Sequence, residues 1–343
     1  MLNSATRQHH LRTPKQPKPL PRAALSPGHY AMLAGRLTVR DRWIARMVAE
    51  HRTLTSTQIA TIAFPSRRAA NLRLLQLHQW RILDRFQPHM AVGSAPMFYV
   101  LDVAGAHALA HEDGIDPDSL HFHAERSVGI GHSIRLAHLH GVNDFFAGLI
   151  AHARQRPDTA LTAWWSEARC VRAFGDIVRP DGYGKWQEGQ REVEWFLEHD
   201  TGSYALTKVA AKLADYAALA ATTNIITPVL FHFTSTARET HARTALAAAH
   251  RELPNPEQVP VATTSAPPID AEANVSGRVW LPLHHSHTGR LRLTDLSVRW
   301  PGVPTPTATA DSTSVEPPTR LAPPAPMPPW SDATDWAVGC RPG

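Results

Sequence analysis

The chain has 343 residues, enough for about two domains that each bury a core, and carries 35 Lys and Arg against 30 Asp and Glu, a net charge of +5. Its two cysteines, Cys170 and Cys340, exclude a disulfide framework and a Cys₄ or Cys₂His₂ zinc centre and fit a reducing cytoplasm. No apolar run follows the basic start, and the longest Ala/Leu-rich stretch is broken by Lys208, Lys212 and Asp215, so the reading is a cytoplasmic protein outside the membrane.

Residues 1–34 are basic, proline-rich and free of acids, which predicts a disordered arm. Residue 37 starts a different pattern. Thr38 caps a helix in which Trp43, Ile44, Met47 and Val48 recur at helical spacing, with Asp41 in the first turn. Thr55 starts a second helix that Pro65 ends, and Ser66 caps a third. In the third, Leu72 and Leu75 are expected toward the core and Arg67, Arg68, Asn71 and Arg73 toward solvent. Residues 82–86 and 97–101 then flank a loop holding Gly93. Three helices and a hairpin are the order of a winged helix-turn-helix over 37–112, whose third helix enters the major groove, where Arg pairs with guanine and Asn with adenine. Double-stranded DNA is the expected partner, with Arg67, Arg68, Asn71 and Arg73 as its contacts.

A second domain is expected over 130–302. A helix over 130–154 holds Asn143 and Asp144, a strand over 161–165 leads to Ser166 and Glu167, and a hairpin follows. Helices over 205–221 and 237–252 bracket an apolar strand at 227–234. This alternation predicts an α/β layer, α+β for the whole chain, with a mixed sheet flanked by helices. From 303 to 343 proline, threonine and alanine dominate, which predicts a disordered tail.

The hairpin concentrates acids. With residues 178–186 and 191–199 as strands and Glu188-Gly189 as the turn, Asp181 faces Phe196 and lies diagonal to Glu198, about 7–8 Å away. Alternation puts Glu198 and Asp200 on one face, opposite Val193, Trp195 and Leu197. Asp181, Glu198 and Asp200 are therefore expected to converge on one Mg²⁺ or Mn²⁺, a hard cation that takes oxygen ligands. Glu194 points the same way but lies about 13 Å from Glu198. His138-x-His140 and His284-His285-x-His287 lack a third ligand at zinc spacing and are read as satisfied or exposed histidines.

Pro180-Asp181, then Glu198-x-Asp200 beyond a hairpin, resembles the PD-(D/E)xK nuclease-like superfamily. More narrowly, RPDGYG (179–184), EWFLEHDTG (194–202), Lys212-Leu213-x-x-Tyr216 and the upstream WWSE (164–167) resemble the plasmid replication-relaxation family, over residues 37–301. The resemblance implies a DNA-binding protein of plasmid replication-relaxation or transfer, working with other plasmid replication or transfer proteins. It also implies Mg²⁺- or Mn²⁺-dependent phosphodiester hydrolysis, with Asp181, Glu198, Asp200 and Lys212 in catalysis. Where the superfamily places its lysine this chain has Asp200, so Lys212 or Lys208, four residues apart on the next helix, would take that role. The competing reading is a noncatalytic DNA-binding accessory factor or transcription regulator on a degenerate nuclease fold. A relaxase-type tyrosine nucleophile would need a three-histidine cluster, and Tyr183, Tyr204 and Tyr216 have none beside them in sequence.

Overall fold

The computed structural model describes residues 12–15, 21–90, 93–265, 274–284, 286, 289–300 and 320–330. They form two compact units, one of residues 12–136 with 320–330 and one of residues 137–300.

Local signals set the elements of the first unit. Strand β1 (Arg12–Lys15) precedes helix α1 (Pro27–Arg36), which Pro27 opens and Ser26 caps by accepting from the His29 N–H. Helix α2 (Val39–Glu50) and, after the two-residue β2 (Leu54–Thr55), helix α3 (Ser56–Ala63) both start on capping boxes, Thr38 with Asp41 and Thr55 with Gln58. Ser66 caps α4 (Arg67–Gln79), and the hairpin of β3 (Leu83–His89) and β4 (Phe98–Leu101) follows. The sheet order is β1-β3-β4-β2, all antiparallel, and α5 (Val103–Glu112) and the short α6 (Ala124–Val128) complete the run. The expected order of three helices and a hairpin over 37–112 is present.

Three expectations need correction here. Leu72 is 64% exposed, because the buried stripe of α4 runs through Ala70, Leu74 and Leu77; at 3.6 residues per turn, Leu72 lies about 200° round the helix from Ala70. The supposed disordered arm is helical over 27–36: His29 and Leu33, four residues apart, are buried, and His29 Nε2 lies 2.9 Å from the Trp80 carbonyl. Residues 1–11 and 16–20 lie outside the described residues.

The expected disordered tail is likewise packed over 320–330, its remainder at 301–319 and 331–343 lying outside the described residues. Trp43 Nε1 donates to the Ala325 carbonyl at 2.8 Å, and the Ala322 N–H donates to Asp113 at 2.8 Å. Trp330 meets Trp43 edge-on at 5.4 Å, and the Arg40 guanidinium lies over both Trp330 (4.9 Å) and Phe64 (5.3 Å). A chain ending before Arg320 is therefore expected to be less stable by about 2–4 kcal/mol, since the segment covers an indole and contributes a second one. Urea unfolding followed by tryptophan fluorescence checks this; an unchanged midpoint would show that the segment adds nothing.

The second unit is a six-stranded sheet with helices on both faces. Helix α7 (Leu136–Ala153) starts later than the expected 130, because residues 129–132 form a 3₁₀ turn and Ile134 is 84% exposed. Strand β5 (Thr159–Ser166), helix α8 (Glu167–Phe174), the hairpin β6 (Gly182–Glu188) and β7 (Arg191–Asp200), and helix α9 (Leu206–Thr223) follow. Then come β8 (Val229–Phe233), α10 (Thr236–Arg251), β9 (Val261–Thr264), β10 (Leu281–Pro282) and α11 (Asp295–Arg299). The order is β10-β9-β8-β7-β6-β5, with β7, β8 and β9 parallel and the other pairs antiparallel. Phe145 and Phe146 of α7 pack on Trp195 and Trp164 of one face, while Phe196, Phe231 and Phe233 of the other meet Leu213, Tyr216 and Leu246 from α9 and α10. Cys170 is a buried free thiol. Among the described residues no helix is long and apolar enough to cross a membrane.

Candidate functional site

The turn between β6 and β7 decides where the acids fall. Gly189 takes φ of 60°, the left-handed conformation a glycine supplies, and Glu188 pairs with Arg191, so the loop is Gly189-Gln190 and not Glu188-Gly189. The ladder then runs Tyr183 to Phe196 and Gly182 to Leu197, which places Asp181 directly across from Glu198 instead of diagonal to it. The slip is two residues, so alternation is preserved and both acids keep the face covered by α9.

Both carboxylates are buried, and three elements hold them. Glu198 accepts from the Tyr216 hydroxyl at 2.6 Å and is ion-paired with Lys212, both from α9 and four residues apart. Asp181 Oδ2 accepts from the His199 backbone N–H at 2.8 Å and lies 2.9 Å from His138 Nε2 of α7, while Oδ1 is 3.9 Å from the Lys212 ammonium. Glu198 and Lys212 line a cleft of about 260 Å³ together with Asp176, Arg179 and Asp215. The structure thus brings Asp181, Glu198 and Lys212 together.

Electrostatics separate the two acids. Burial and then the neighbouring Asp181 carboxylate push Glu198 up to about 7, against the pull of Lys212 and Tyr216. Burial also acts to raise Asp181, but the charges of His138 and Lys212 and the hydrogen bonds from His138 and His199 outweigh it and hold this carboxyl well below its ordinary range. Lys212 is raised: burial opposes its charge, but Asp181 and Glu198 more than compensate. Burial and the Glu198 charge raise Tyr216, and burial and Glu194 raise Tyr183, so both phenols stay protonated as donors and neither is poised as a nucleophile.

The other residues singled out in the sequence have partners of their own or lie elsewhere. Asp200 does not join the acid pair: Arg238 of α10 holds its Oδ2 at 2.6 Å, and the Gly202 N–H donates to its Oδ1 at 2.9 Å. Glu194 accepts from the Tyr183 hydroxyl and lies 3.7 Å from Lys185. Lys208 lies over the Tyr204 ring at 4.2 Å. Asp144 is buried 3.3 Å from His140. On α4, Arg67, Arg68 and Asn71 are exposed, but Arg73 is not available as expected. Its guanidinium forks onto Asp41, bonds Gln76 and stacks on Trp80 at 5.0 Å, because the capping carboxylate of α2 faces that side of α4. His285 and His287 lie outside the described residues, and His284 Nε2 is 2.9 Å from His250 Nδ1.

Sequence reasoning missed His138, Tyr216 and Arg238 as partners of the acids. For Tyr216 a signal existed: it follows Lys212 by four residues, one helical turn on the same face. Behind the site, His199 is buried with Nδ1 3.0 Å from His232 Nδ1, and its Nε2 rests against Gly141, whose added Cβ would lie 2.1 Å away. Burial, then His232 and His138, lowers the His199 pKa, so the ring is neutral.

The donor set suits a hard cation only in part. Among the described residues no group of three or more His, Cys, Asp or Glu side chains is arranged to hold a metal ion. Two carboxylates, Asp181 and Glu198, remain, a number that suffices for Mg²⁺ when waters and a substrate phosphate complete the shell.

A family model described as replication-relaxation matches residues 46–235, more than half of the 343. Comparison with curated proteins and with solved structures finds no match.

Proposed function

The chain belongs to the replication-relaxation family, and from that premise we propose that it is a DNA-handling protein of plasmid replication or transfer with a duplex-binding part and a phosphodiester-binding part. The first is the winged helix of 37–112. Its α4 would lie in the major groove with Arg67, Arg68 and Asn71 toward the bases and backbone, and without Arg73, which Asp41 holds.

The second part is a PD-(D/E)xK-like centre in which Asp181 and Glu198 would hold Mg²⁺ or Mn²⁺. The ion would supply Lewis acidity at the scissile phosphate. Lys212 would stabilise charge developing on the phosphoryl oxygens. Tyr216 orients Glu198, and His138 with the His199 N–H orients Asp181. The observation that carries this reading is the Lys212 ammonium seated on Glu198 and 3.9 Å from Asp181 in an open cleft. It supplies from α9 the cation that the strand lacks at Asp200.

A noncatalytic accessory role is the second reading, favoured by Asp200 being held by Arg238. Supercoiled plasmid with Mg²⁺ or Mn²⁺ separates the two. The wild type is expected to give nicked or linear product, and Asp181→Asn and Lys212→Met are each expected to lose about 10²–10³-fold in rate. Plasmid left supercoiled by the wild type at saturating divalent ion would overturn catalysis and leave the accessory role.

A further inference from the structure

We propose that Tyr204, Lys208 and Lys212 form a row that binds single-stranded DNA and leads an unpaired strand to the Asp181–Glu198 pair. The proposal deepens the phosphodiester reading above and rests on it for the direction of the strand.

The row begins on an exposed aromatic. Tyr204 is 55% exposed, the one aromatic among the large exposed apolar side chains of the described residues. An aromatic ring left in water gives up the burial that normally places it in a core, and it is most useful where a second flat ring can cover it. Tyr204 is also held in place. Arg238 donates to its carbonyl at 2.5 Å while gripping Asp200 at 2.6 Å, and Thr201 and Ser203 bond each other at 3.0 Å across the same loop. Asp200, unused at the acid pair, thus acquires a role: with Arg238 it fixes the loop that presents the ring.

Two ammonium groups follow from that ring toward the cleft. Lys208 stands over Tyr204 at 4.2 Å, and Lys212, one turn further along the same face of α9, sits on Glu198. Four residues at 1.5 Å per residue advance about 6 Å along the helix axis. An aromatic platform beside a line of cations is the arrangement that takes unpaired bases on the ring and their phosphates on the lysines. A duplex, whose bases are already stacked on one another, has no free base face to offer Tyr204. The row therefore selects a single strand, and Lys212 belongs both to it and to the acid pair, so a phosphate on Lys212 is delivered next to Glu198.

The test uses the full-length protein in EDTA, where no cleavage interferes, with fluorescein-labelled oligo(dT) of about 16 nucleotides read by anisotropy. Tyr204→Ala is expected to weaken oligo(dT) binding about 5- to 100-fold, and Tyr204→Trp to keep it within about twofold. Lys208→Gln is expected to lower the slope of log affinity against log salt by about 0.7. Blunt duplex of the same length, whose contacts are on α4, should bind Tyr204→Ala and wild type alike.

Equal oligo(dT) binding by Tyr204→Ala and wild type, or equal loss in the Ala and Trp variants, would overturn the row. A parallel loss for duplex would overturn its selectivity. If the plasmid assay shows no nicking while binding still depends on Tyr204, the catalytic reading falls and the row stands. Nicking without Tyr204 dependence removes the row alone.

Discussion

Replacing Gly141 with Ala is expected to destabilise the second unit by about 3 kcal/mol, although the same exchange in an unobstructed helix is favourable by about 0.5–1 kcal/mol. The new methyl would lie 2.1 Å from His199 Nε2 and under 3 Å from two further ring atoms. The ring has nowhere to go: it is buried, stacked on His232 at 5.0 Å, and carried by the central strand β7. Relief must come from lifting α7, which also carries His138 away from Asp181. Gly35→Ala in α1 is the control, since nothing lies within 4 Å of the added Cβ, and it should be neutral or slightly stabilising. Denaturant midpoints of the two variants check this. A Gly141→Ala protein as stable as the wild type would show that His199 is not fixed.

In metal-free buffer the wild type is expected to lose stability relative to Glu198→Gln as pH rises from about 4.5 to about 7, by about 3 kcal/mol at 1.36 kcal/mol per pH unit. The sign follows from proton uptake. Unfolded Glu198 ionises near its ordinary value, whereas in the folded protein it keeps its proton up to about 7, so in that window the folded state binds more protons and its stability falls with pH. Asp181 acts the other way: its carboxyl is depressed, so its contribution is present above the ordinary carboxylate range and lost below it. Lys212 stays charged throughout. Unfolding free energies of both proteins across this range, in chelator, give the difference directly; parallel curves would mean that Glu198 ionises in the folded state where it does in the unfolded one.

The acid pair was legible in the sequence because its geometry depends on parity more than on register. Moving the turn from Glu188-Gly189 to Gly189-Gln190 shifts the ladder by two residues, which changes Asp181 from diagonal to opposite but leaves it on the same face as Glu198. The third carboxylate was not legible. Alternation fixed the side of Asp200, but its partner, Arg238, comes from a helix 38 residues away across a parallel crossover. His138 is 43 residues from Asp181 and carried no local sign of the contact. Arg73 failed for a related reason: a cation on a helix reads as solvent-facing until a neighbouring helix brings a carboxylate to it, here Asp41 over 32 residues. The packed pieces of the two predicted tails escaped because each places few groups against its unit, buried His29 and Leu33 in one and half-buried Trp330 in the other, amid proline-rich compositions.

The bond from Trp43 to Ala325 spans 282 residues, so the first unit is closed by chain that the ribosome makes after the whole of the second. At about 5–20 residues per second, translation leaves the Trp43 face uncovered for about 14–56 s. During that interval α2 offers an open indole next to Arg40 and Arg46, and the nascent protein has a surface that the finished one lacks. Chaperone engagement on this chain should accordingly be concentrated between synthesis of α2 and release of residue 330, and a messenger truncated after the second unit should prolong it.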